Sequence, residues 1–500
     1  MTPWSGSENG ERLAFNAPVG SGGSLAAPVA ATAFTARTEN GGPPSAPPAA
    51  VVAAREPRDR AFTWMLLFTG VLFLRPQDFI QPLEFLHLAE LTAIMGLASL
   101  IAGRLARGQA VTRVTPELIG VVLLGAVILL TAPFSIWMGG VVGLFRDLYS
   151  KVILIYLLAV NTITTPKRLE RLTWLLVLAV GYLALLAMID YVQGNNMVGH
   201  HTRVRGANAG FMENPNDLAT NMIAFLPLAA FMVLGHASML KRAIAALCAV
   251  LMLGAAVVSG SRGGFLGMIV MIAVFAALAV RQRPGLVVAA ALAGMCALPL
   301  VPSTYWHRIA SITDESKDDF GSAQERRTLM KESIQAFMEN PLTGVGAGNF
   351  KAWNPQGRAA AWHESHNVVL QVASELGILG LSVFFFIVAR AFQSVIHTRR
   401  LLRRARRAAS AERAGRRPAD ANAPRLTDEE AALLDAHSAA MLASLCGWIV
   451  CALFASVAYN WTLYYLLALA ATPRDMLHDR QPQRSSRSRA RARAVEVVHA

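Results

Sequence analysis

The sequence predicts an all-α polytopic membrane protein of about twelve transmembrane helices, and three observations carry that reading. The 500-residue chain is 54% hydrophobic and only 16% charged, with a mean hydropathy of +0.41, where soluble chains carry about 25% charge. The deficit is local, because residues 61–190 and 216–301 are nearly continuous apolar segments cut into lengths near the roughly 20 residues that cross a bilayer. Those segments do not alternate in polarity, which excludes the short dyad-patterned strands of a transmembrane barrel.

The elements follow in order. Residues 1–60 are rich in Ala, Pro, Gly and Ser, a composition that predicts disorder. They lack a basic stretch followed by an apolar core, so no cleaved signal peptide is expected and the first membrane helix is read as the targeting signal. Candidate helices fall near 62–75, 83–103, 117–137, 148–164, 170–190, 216–235, 242–259, 264–280, 284–301, 367–390, 437–457 and 461–473, from the length and periodicity of the apolar runs. This divides the chain into an extension (1–60), nine helices (61–301), a large loop (302–366), three more helices (367–473) enclosing a basic loop (391–436), and a basic tail (474–500).

The net charge of +14 and pI near 10.2 invite a nucleic-acid reading. The distribution of charge argues against one: arginines cluster at 399–417 and 480–493, beside apolar segments, where the positive-inside rule and anionic lipid headgroups account for them. The loops 104–113, 166–171, 240–242 and 281–283 and the block after Arg390 alternate so as to share one face, which is predicted to be cytoplasmic with both termini. The opposite face receives 74–82, the loop after Trp137 with Phe145–Asp147, residues 191–215, the turn 259–264 and the loop 302–366. All four cysteines (Cys248, Cys296, Cys446, Cys451) lie in apolar segments, so neither a disulfide framework nor a metal-ligand spacing is present.

The stretch WHESHNVVLQVASELGILGL (362–381) places histidines and a glutamate at the mouth of a membrane helix. On a helix of about 100° per residue, His363, Asn367, Gln371 and Glu375 form one polar stripe, which must face protein or a wet cavity because lipid would not solvate Glu375. Gly377 and Gly380 would permit close helix approach. Capping and interfacial anchoring account for His363, whereas His366 is the candidate for chemistry. His363-Glu-Ser-His366 is one residue short of the HExxH zinc spacing. In SGSRGG (259–264), Arg262 opposes the positive-inside trend. It is read either as a guanidinium fork for a phosphate or diphosphate or as a side chain snorkelling to headgroups, and the two glycines after it would open the backbone. In RVRGANAGFMENPNDLAT (203–220), Arg203 or Arg205 would be a second anion ligand, and Asn214 or Asn216 would cap the next helix. The GxGxG of residues 344–348 lacks a strand–helix context and faces away from ATP or NAD, so it reads as a turn or a close approach to a sugar. Residues 325–340 read as an amphipathic helix on the membrane or over a cavity.

The order of these motifs resembles the O-antigen ligase and O-antigen polymerase superfamily of bacterial inner-membrane glycan transferases. The residues that carry the resemblance are Arg205-Gly206 with Asn214-Pro215-Asn216, then Arg262 with Leu266, the 341–350 turn, and His366-Asn367 followed by nine residues and Gly377-x-x-Gly380. The resemblance covers about residues 70–470. The extension and the arginine-rich tail depart from it without touching the motifs.

The resemblance implies transfer at the periplasmic face of the inner membrane, without metal or cofactor, from a glycan on a polyprenyl diphosphate. The acceptor would be lipid A core or another glycan. It implies that His366 is a general base or orients the acceptor, that Arg262 with Arg205 or Arg203 steadies the leaving diphosphate, and that Asn367 and Asn216 bind substrate beside the stripe of Gln371 and Glu375. Membrane lipids are the other expected partners, and nucleic acid is not one. A polymerase for O-antigen or exopolysaccharide and a protein O-oligosaccharyltransferase share these motifs. A flippase would carry charges along a mid-membrane path, and an envelope scaffold would leave Arg262 and His366 without a task.

Overall fold

The computed structural model describes residues 59–198, 203–206, 212–235, 238–279, 284–312, 314, 322–354, 363–417 and 420–481. The extension and most of the tail expected at the two ends fall outside the described residues. Everything described belongs to one unit, Arg58–Ala500.

In chain order the helices are α1 (Arg60–Leu74), α2 (Pro76–Phe79), α3 (Leu88–Leu105), α4 (Pro116–Thr131), α5 (Met138–Leu144), α6 (Ser150–Thr162) and α7 (Pro166–Gln193), followed after a short ladder by α8 (Pro215–Gly235), α9 (Met239–Val258), α10 (Arg262–Ala279) and α11 (Pro284–Ala297). Then come α12 (Ser303–Ala310), α13 (Ser322–Glu339), α14 (Val368–Arg413), α15 (Asp428–Ala452) and α16 (Trp461–Asp479). The ladder pairs β1 (Met197–Val198) with β2 (Arg203–Val204) antiparallel. Starts follow local chemistry: Thr115 and Thr165 each cap a helix whose first turn opens with proline, and Thr427 with Glu430 forms a reciprocal capping box, satisfying amide groups that would otherwise lack partners.

Each of the twelve expected apolar segments is helical, but the count of spans is lower than expected. Eight helices among the described residues are long and apolar enough to cross a membrane: α3, α4, α7 to α10, α14 and α15. The shortfall has physical reasons. α1 and α11 have 15 and 14 residues, and α16 ends in Arg474, Asp475, His478 and Asp479. α6 is the last part of a longer rod: α5 runs through a π-helical turn, Phe145–Tyr149, directly into it. The Phe145–Asp147 segment expected as a loop is therefore helical. The block after Arg390 was also expected as loop, yet the 46-residue α14 continues into it as far as Arg413.

α8 lies among α9, α10 and α15, and α16 packs on α6 and α14. Nearly all of α8 and α16 is buried, whereas α3, α4 and α9 expose rows of large apolar side chains such as Leu91, Ile94, Ile119, Val122, Leu247 and Val250. Exposed apolar area of this extent marks a surface that meets lipid or protein rather than water.

One end of the bundle is closed by an ion cluster. Glu117 at the start of α4 has no solvent exposure and accepts from Arg474 Nη1 at 2.6 Å and Nη2 at 3.0 Å, from Arg390 Nη2 at 2.9 Å and from Ser394 Oγ at 2.9 Å. It ties α4, α14 and α16 together. Removing one partner of such a cluster leaves buried charge uncompensated, at about 3–5 kcal/mol. Glu117→Ala is expected to lower the thermal midpoint of the detergent-solubilised protein clearly, and Glu117→Leu with Arg474→Met to recover most of the loss. Equal midpoints for Glu117→Ala and the native chain would show that the cluster contributes nothing.

Candidate active site

The other end of the bundle collects the motif residues, because α8, α10, α14 and α16 all begin there and α9 and α15 end there. The turn between α9 and α10 is made by Gly260, at φ +57°, where an added Cβ would meet Arg203 Cγ at 3.2 Å and Arg308 Cδ at 3.3 Å. Two arginines thus cross over a residue that must have no side chain. Arg203 donates through Nε to the Ser259 carbonyl at 3.0 Å and through Nη2 to Asn216 Oδ1 at 3.1 Å. Arg308 donates to the Gly260 carbonyl at 2.7 Å. Arg262, at the first position of α10 and almost fully buried, donates to Ser311 Oγ at 2.9 Å. Arg326 on α13 lies over the Phe454 ring at 5.9 Å.

These guanidinium groups act on one another. Burial, followed by the charges of Arg308, Arg326 and Arg262, pulls Arg203 down to about 9, so it remains a cation at neutral pH while like charges crowd it. An anion placed among them would relieve that repulsion.

His366 stands at the edge of this group. Its backbone is left-handed, φ +49°, uncommon for a residue with a side chain. Its N–H donates to Ser456 Oγ at 3.0 Å, which also lies 3.3 Å from Ser365 Oγ. Burial, then Arg326, His363 and Arg203, pull the imidazole down to about 4. At neutral pH it is therefore uncharged and able to accept a proton.

The polar stripe is only partly as expected. α14 begins at Val368, and Asn367 caps it by accepting from the Val369 N–H at 2.9 Å and the Leu370 N–H at 3.1 Å. His363 lies before the helix and pairs through Nδ1 with Glu325 Oε1 of α13 at 2.6 Å. Gln371 and Glu375 do share a face: Gln371 Oε1 accepts from the Ala458 N–H at 3.1 Å, and Glu375 Oε2 from the Gly348 N–H at 2.9 Å. Asn216 accepts from Arg203 and from Ser261 Oγ, while Asn214 is the cap of α8. Arg205 is exposed, and of the two candidate arginines on that segment Arg203 is the one bonded into the cluster. The glycines after Arg262 do not open the backbone. They press α10 onto its neighbours, Gly263 against Phe454 and Gly264 against Ala219.

Gly377 has a different task from the close helix packing expected of it. It breaks α14 with φ +62° and ψ −161°, and an added Cβ would lie 2.4 Å from the Leu342 carbonyl carbon. The break frees backbone groups that the 341–346 turn takes up: Val345 N–H donates to the Ser374 carbonyl at 2.9 Å, Gly346 N–H to the Glu375 carbonyl at 2.9 Å, and Ile378 N–H to the Pro341 carbonyl at 2.8 Å. The GxGxG turn is thus a backbone patch on a broken membrane helix.

Beyond the wall formed by Glu364 and Ser365 lies a cavity of about 430 Å³. Its charged lining is mostly acidic, with Asp147, Glu213, Asp217, Glu364 and Glu375 against Arg75, Lys151 and Lys351. Desolvation and the neighbouring Glu213 push the Glu364 carboxyl up, with Lys351 pulling the other way. Arg308, Arg326, Glu364 and Ser456 were not singled out in the sequence. The two arginines carried a signal, since both sit in the 302–366 loop on the face opposite the basic loops, the same anomaly that marked Arg262.

Residues 247–385, which contain Arg262, His366 and the Gly377 break, match the O-antigen ligase family model. That stretch is similar to the O-antigen ligase family. The superfamily resemblance read from its motifs therefore holds, and it supports a ligase- or polymerase-type role in surface polysaccharide biosynthesis. With eight apolar helices, that likeness also indicates a multi-pass membrane protein. No curated protein matches the chain.

The break gives a direct test. Gly377→Ala should destabilise the protein by at least about 1–3 kcal/mol, the cost of a strained backbone position, because the methyl meets backbone rather than a movable side chain. Gly70→Ala, where nothing lies within 4 Å, is the control. Equal thermal midpoints for the two variants would contradict the role given to Gly377.

Proposed function

We propose that the protein transfers a glycan from a polyprenyl-diphosphate carrier to an acceptor hydroxyl at the periplasmic face of the bacterial inner membrane. The observation that carries this reading is the meeting of Arg203 with Arg262, Arg308, Arg326 and a neutral His366, the last four of which lie in the stretch similar to the O-antigen ligase family. The arginines would hold the diphosphate by charge-assisted, forked hydrogen bonds, with Asn216 and Ser311 fixing the orientation of Arg203 and Arg262. The acceptor oxygen attacks the anomeric carbon, the bond from that carbon to the phosphate oxygen breaks, and its electron pair leaves on the diphosphate. The hydroxyl proton passes to the His366 imidazole. A base of this kind contributes about 10²–10⁴-fold. The leaving diphosphate develops charge where the guanidinium groups already stand, so the site needs little reorganisation during the step. Asn367 serves by setting the start of α14 and with it the place of His366. No metal or cofactor enters this scheme.

A ligase acting on lipid A core and a polymerase extending a glycan would share this chemistry. Surface glycans of a strain lacking the protein, with native and His366→Ala copies returned separately, separate them. Core without long polymer, with polymer retained on the carrier, identifies a ligase, and single repeat units in place of long chains identify a polymerase. Normal glycans in every strain would refute the proposal for these acceptors. In purified protein His366→Ala should lower the rate by about 10²–10⁴-fold with unchanged membrane abundance. Arg262→Lys should weaken donor use by about 10–100-fold, the worth of a charge-assisted hydrogen bond. Full activity in either variant contradicts the role assigned to it.

The pH dependence follows from the same imidazole. Only the neutral form accepts a proton, so kcat/KM should rise through pH of about 4 and stay level toward neutrality. Once the anionic donor is bound beside it, protonation becomes easier, so the acid limb of kcat should lie at higher pH than that of kcat/KM. Coincident limbs would mean that the diphosphate does not sit next to His366.

A further inference from the structure

We propose that Ser456, in the turn between α15 and α16, is a positioning residue of the transfer site: with Ser365 it clamps the backbone around His366 and so sets where the imidazole stands. This rests on the glycosyl-transfer reading above and adds to it what holds the base in place. The need for such a device is visible at the histidine itself. Among the described residues, His366 is bonded through its backbone N–H, and its ring makes no hydrogen bond or ion pair. A histidine that moves protons is commonly oriented by a hydrogen bond to its second ring nitrogen. Here orientation falls to the backbone. That backbone is left-handed, φ +49°, a conformation that a residue with a Cβ keeps when its surroundings fix it there.

The Ser456 hydroxyl does the fixing. The His366 N–H donates to Ser456 Oγ at 3.0 Å, Ser456 Oγ lies 3.3 Å from Ser365 Oγ, and Ser365 Oγ donates to the Asn367 carbonyl at 3.2 Å. A serine hydroxyl has one proton to give. Ser365 gives its proton to that carbonyl, so Ser456 is the donor between the two hydroxyls, with the Glu364 carboxyl as its other neighbour. Either acceptor belongs to the same short segment, so Ser456 grips that segment at two points. Through Ser365 the bonds leave the backbone at the His366 N–H and return to it at Asn367, closing around one residue. Asn367 is held in turn as the cap of α14. A residue free to leave the left-handed region would swing its ring away from the arginine group, and one held on both sides keeps it there.

The turn that carries Ser456 is itself fixed to the rest of the site. Residues 453–460 join α15 to α16. Phe454 packs against Gly263, the neighbour of Arg262, so closely that an added Cβ would lie 2.5 Å from the Phe454 Cβ, and the Phe454 ring lies under Arg326. The Ala458 N–H donates to Gln371 Oε1 at 3.1 Å, and its carbonyl accepts from the Tyr464 hydroxyl at 3.0 Å. Phe454, Ser456 and Ala458 therefore meet, in turn, the start of α10, the segment of His366 and the first turn of α14. One short turn sets the base in register with the guanidinium groups, from outside the 247–385 stretch similar to the O-antigen ligase family. Such register matters, since a misplacement of about 1 Å can lower a rate about 10²-fold.

The test adds purified full-length variants in nanodiscs to solubilised membranes of a strain lacking the protein, which hold both substrates, and follows glycan transfer. Binding of a polyprenyl diphosphate and the thermal midpoint are measured alongside. Ser456→Ala should slow transfer by about 10–100-fold with polyprenyl-diphosphate affinity and midpoint unchanged. Ser456→Thr, which keeps the hydroxyl, should recover most of the rate. In Ser456→Ala the acid limb of the remaining rate should move up from about 4 toward the ordinary histidine value, because a ring no longer held escapes burial and the charges of Arg326, His363 and Arg203. A full rate in Ser456→Ala beside a strongly slowed His366→Ala, a loss that Ser456→Thr does not recover, an unmoved acid limb, or loss of polyprenyl-diphosphate binding along with the rate would each overturn the clamp and leave the transfer reading standing. A full rate in both Ser456→Ala and His366→Ala would overturn the base role of His366 and this inference together.

Discussion

The break in α14 at Gly377 is the constraint on which the rest of the site depends. Inside a membrane-spanning helix, backbone groups released by a break have no water to turn to and must find partners in the protein. The carbonyls of Ser374 and Glu375 and the N–H of Ile378 find them in the 341–346 turn. That turn is therefore not free to move, and other parts hang from it. Gly348 holds the Glu375 carboxylate. Val345, Phe350 and Trp353 form a small apolar cluster with Leu329 and Ala336 of α13. α13 in turn carries Arg326 toward Phe454 and Glu325 toward His363. A line of contacts thus runs from one glycine to the cation group and to the segment that bears His366.

The two ends of the bundle handle buried charge in opposite ways. At one end Arg474, Arg390 and Ser394 surround Glu117, and the cluster is closed. At the other end burial, with the charges of Arg308, Arg326 and Arg262 beside it, lowers Arg203 to about 9. Like charges brought together in a low dielectric oppose folding, and an anion placed among them relieves the repulsion. Active sites are built under the same conflict between stability and function.

Much of the fold was legible because apolar length is local, and all the expected apolar segments are helical. What was not legible is non-local. The stripe through His363 assumed that the helix began before it, but Asn367 caps one turn later and Glu325 draws His363 away. The spacing of Gly377 and Gly380 is equally consistent with close packing and with a break, and only the approach of Leu342 decides between them. Arg262 and Arg203 stood out by their place on the face opposite the basic loops. Arg308 and Arg326 had the same mark but lay in a long loop with no apolar flank to frame them. The acidic cavity had no sequence signal, since its residues come from six separate stretches between Arg75 and Trp461.

The exposed face of α13 bears on how a lipid-linked donor could reach these arginines. Met330, Ile334 and Met338 recur every four residues and are 45%, 46% and 69% exposed, with Leu342 following at 65%. The opposite face of the same helix buries Leu329, Ser333 and Ala336 against the protein. An amphipathic helix arranged this way is suited to a membrane boundary, with its apolar stripe toward the acyl region. Arg326 belongs to that helix and also to the cation group around His366. On the proposed reading, a polyprenyl tail would therefore stay in lipid beside α13 while its diphosphate meets the arginines. The membrane would hold the donor, the arginines would hold only its head, and the protein would need no channel through which to pass the chain.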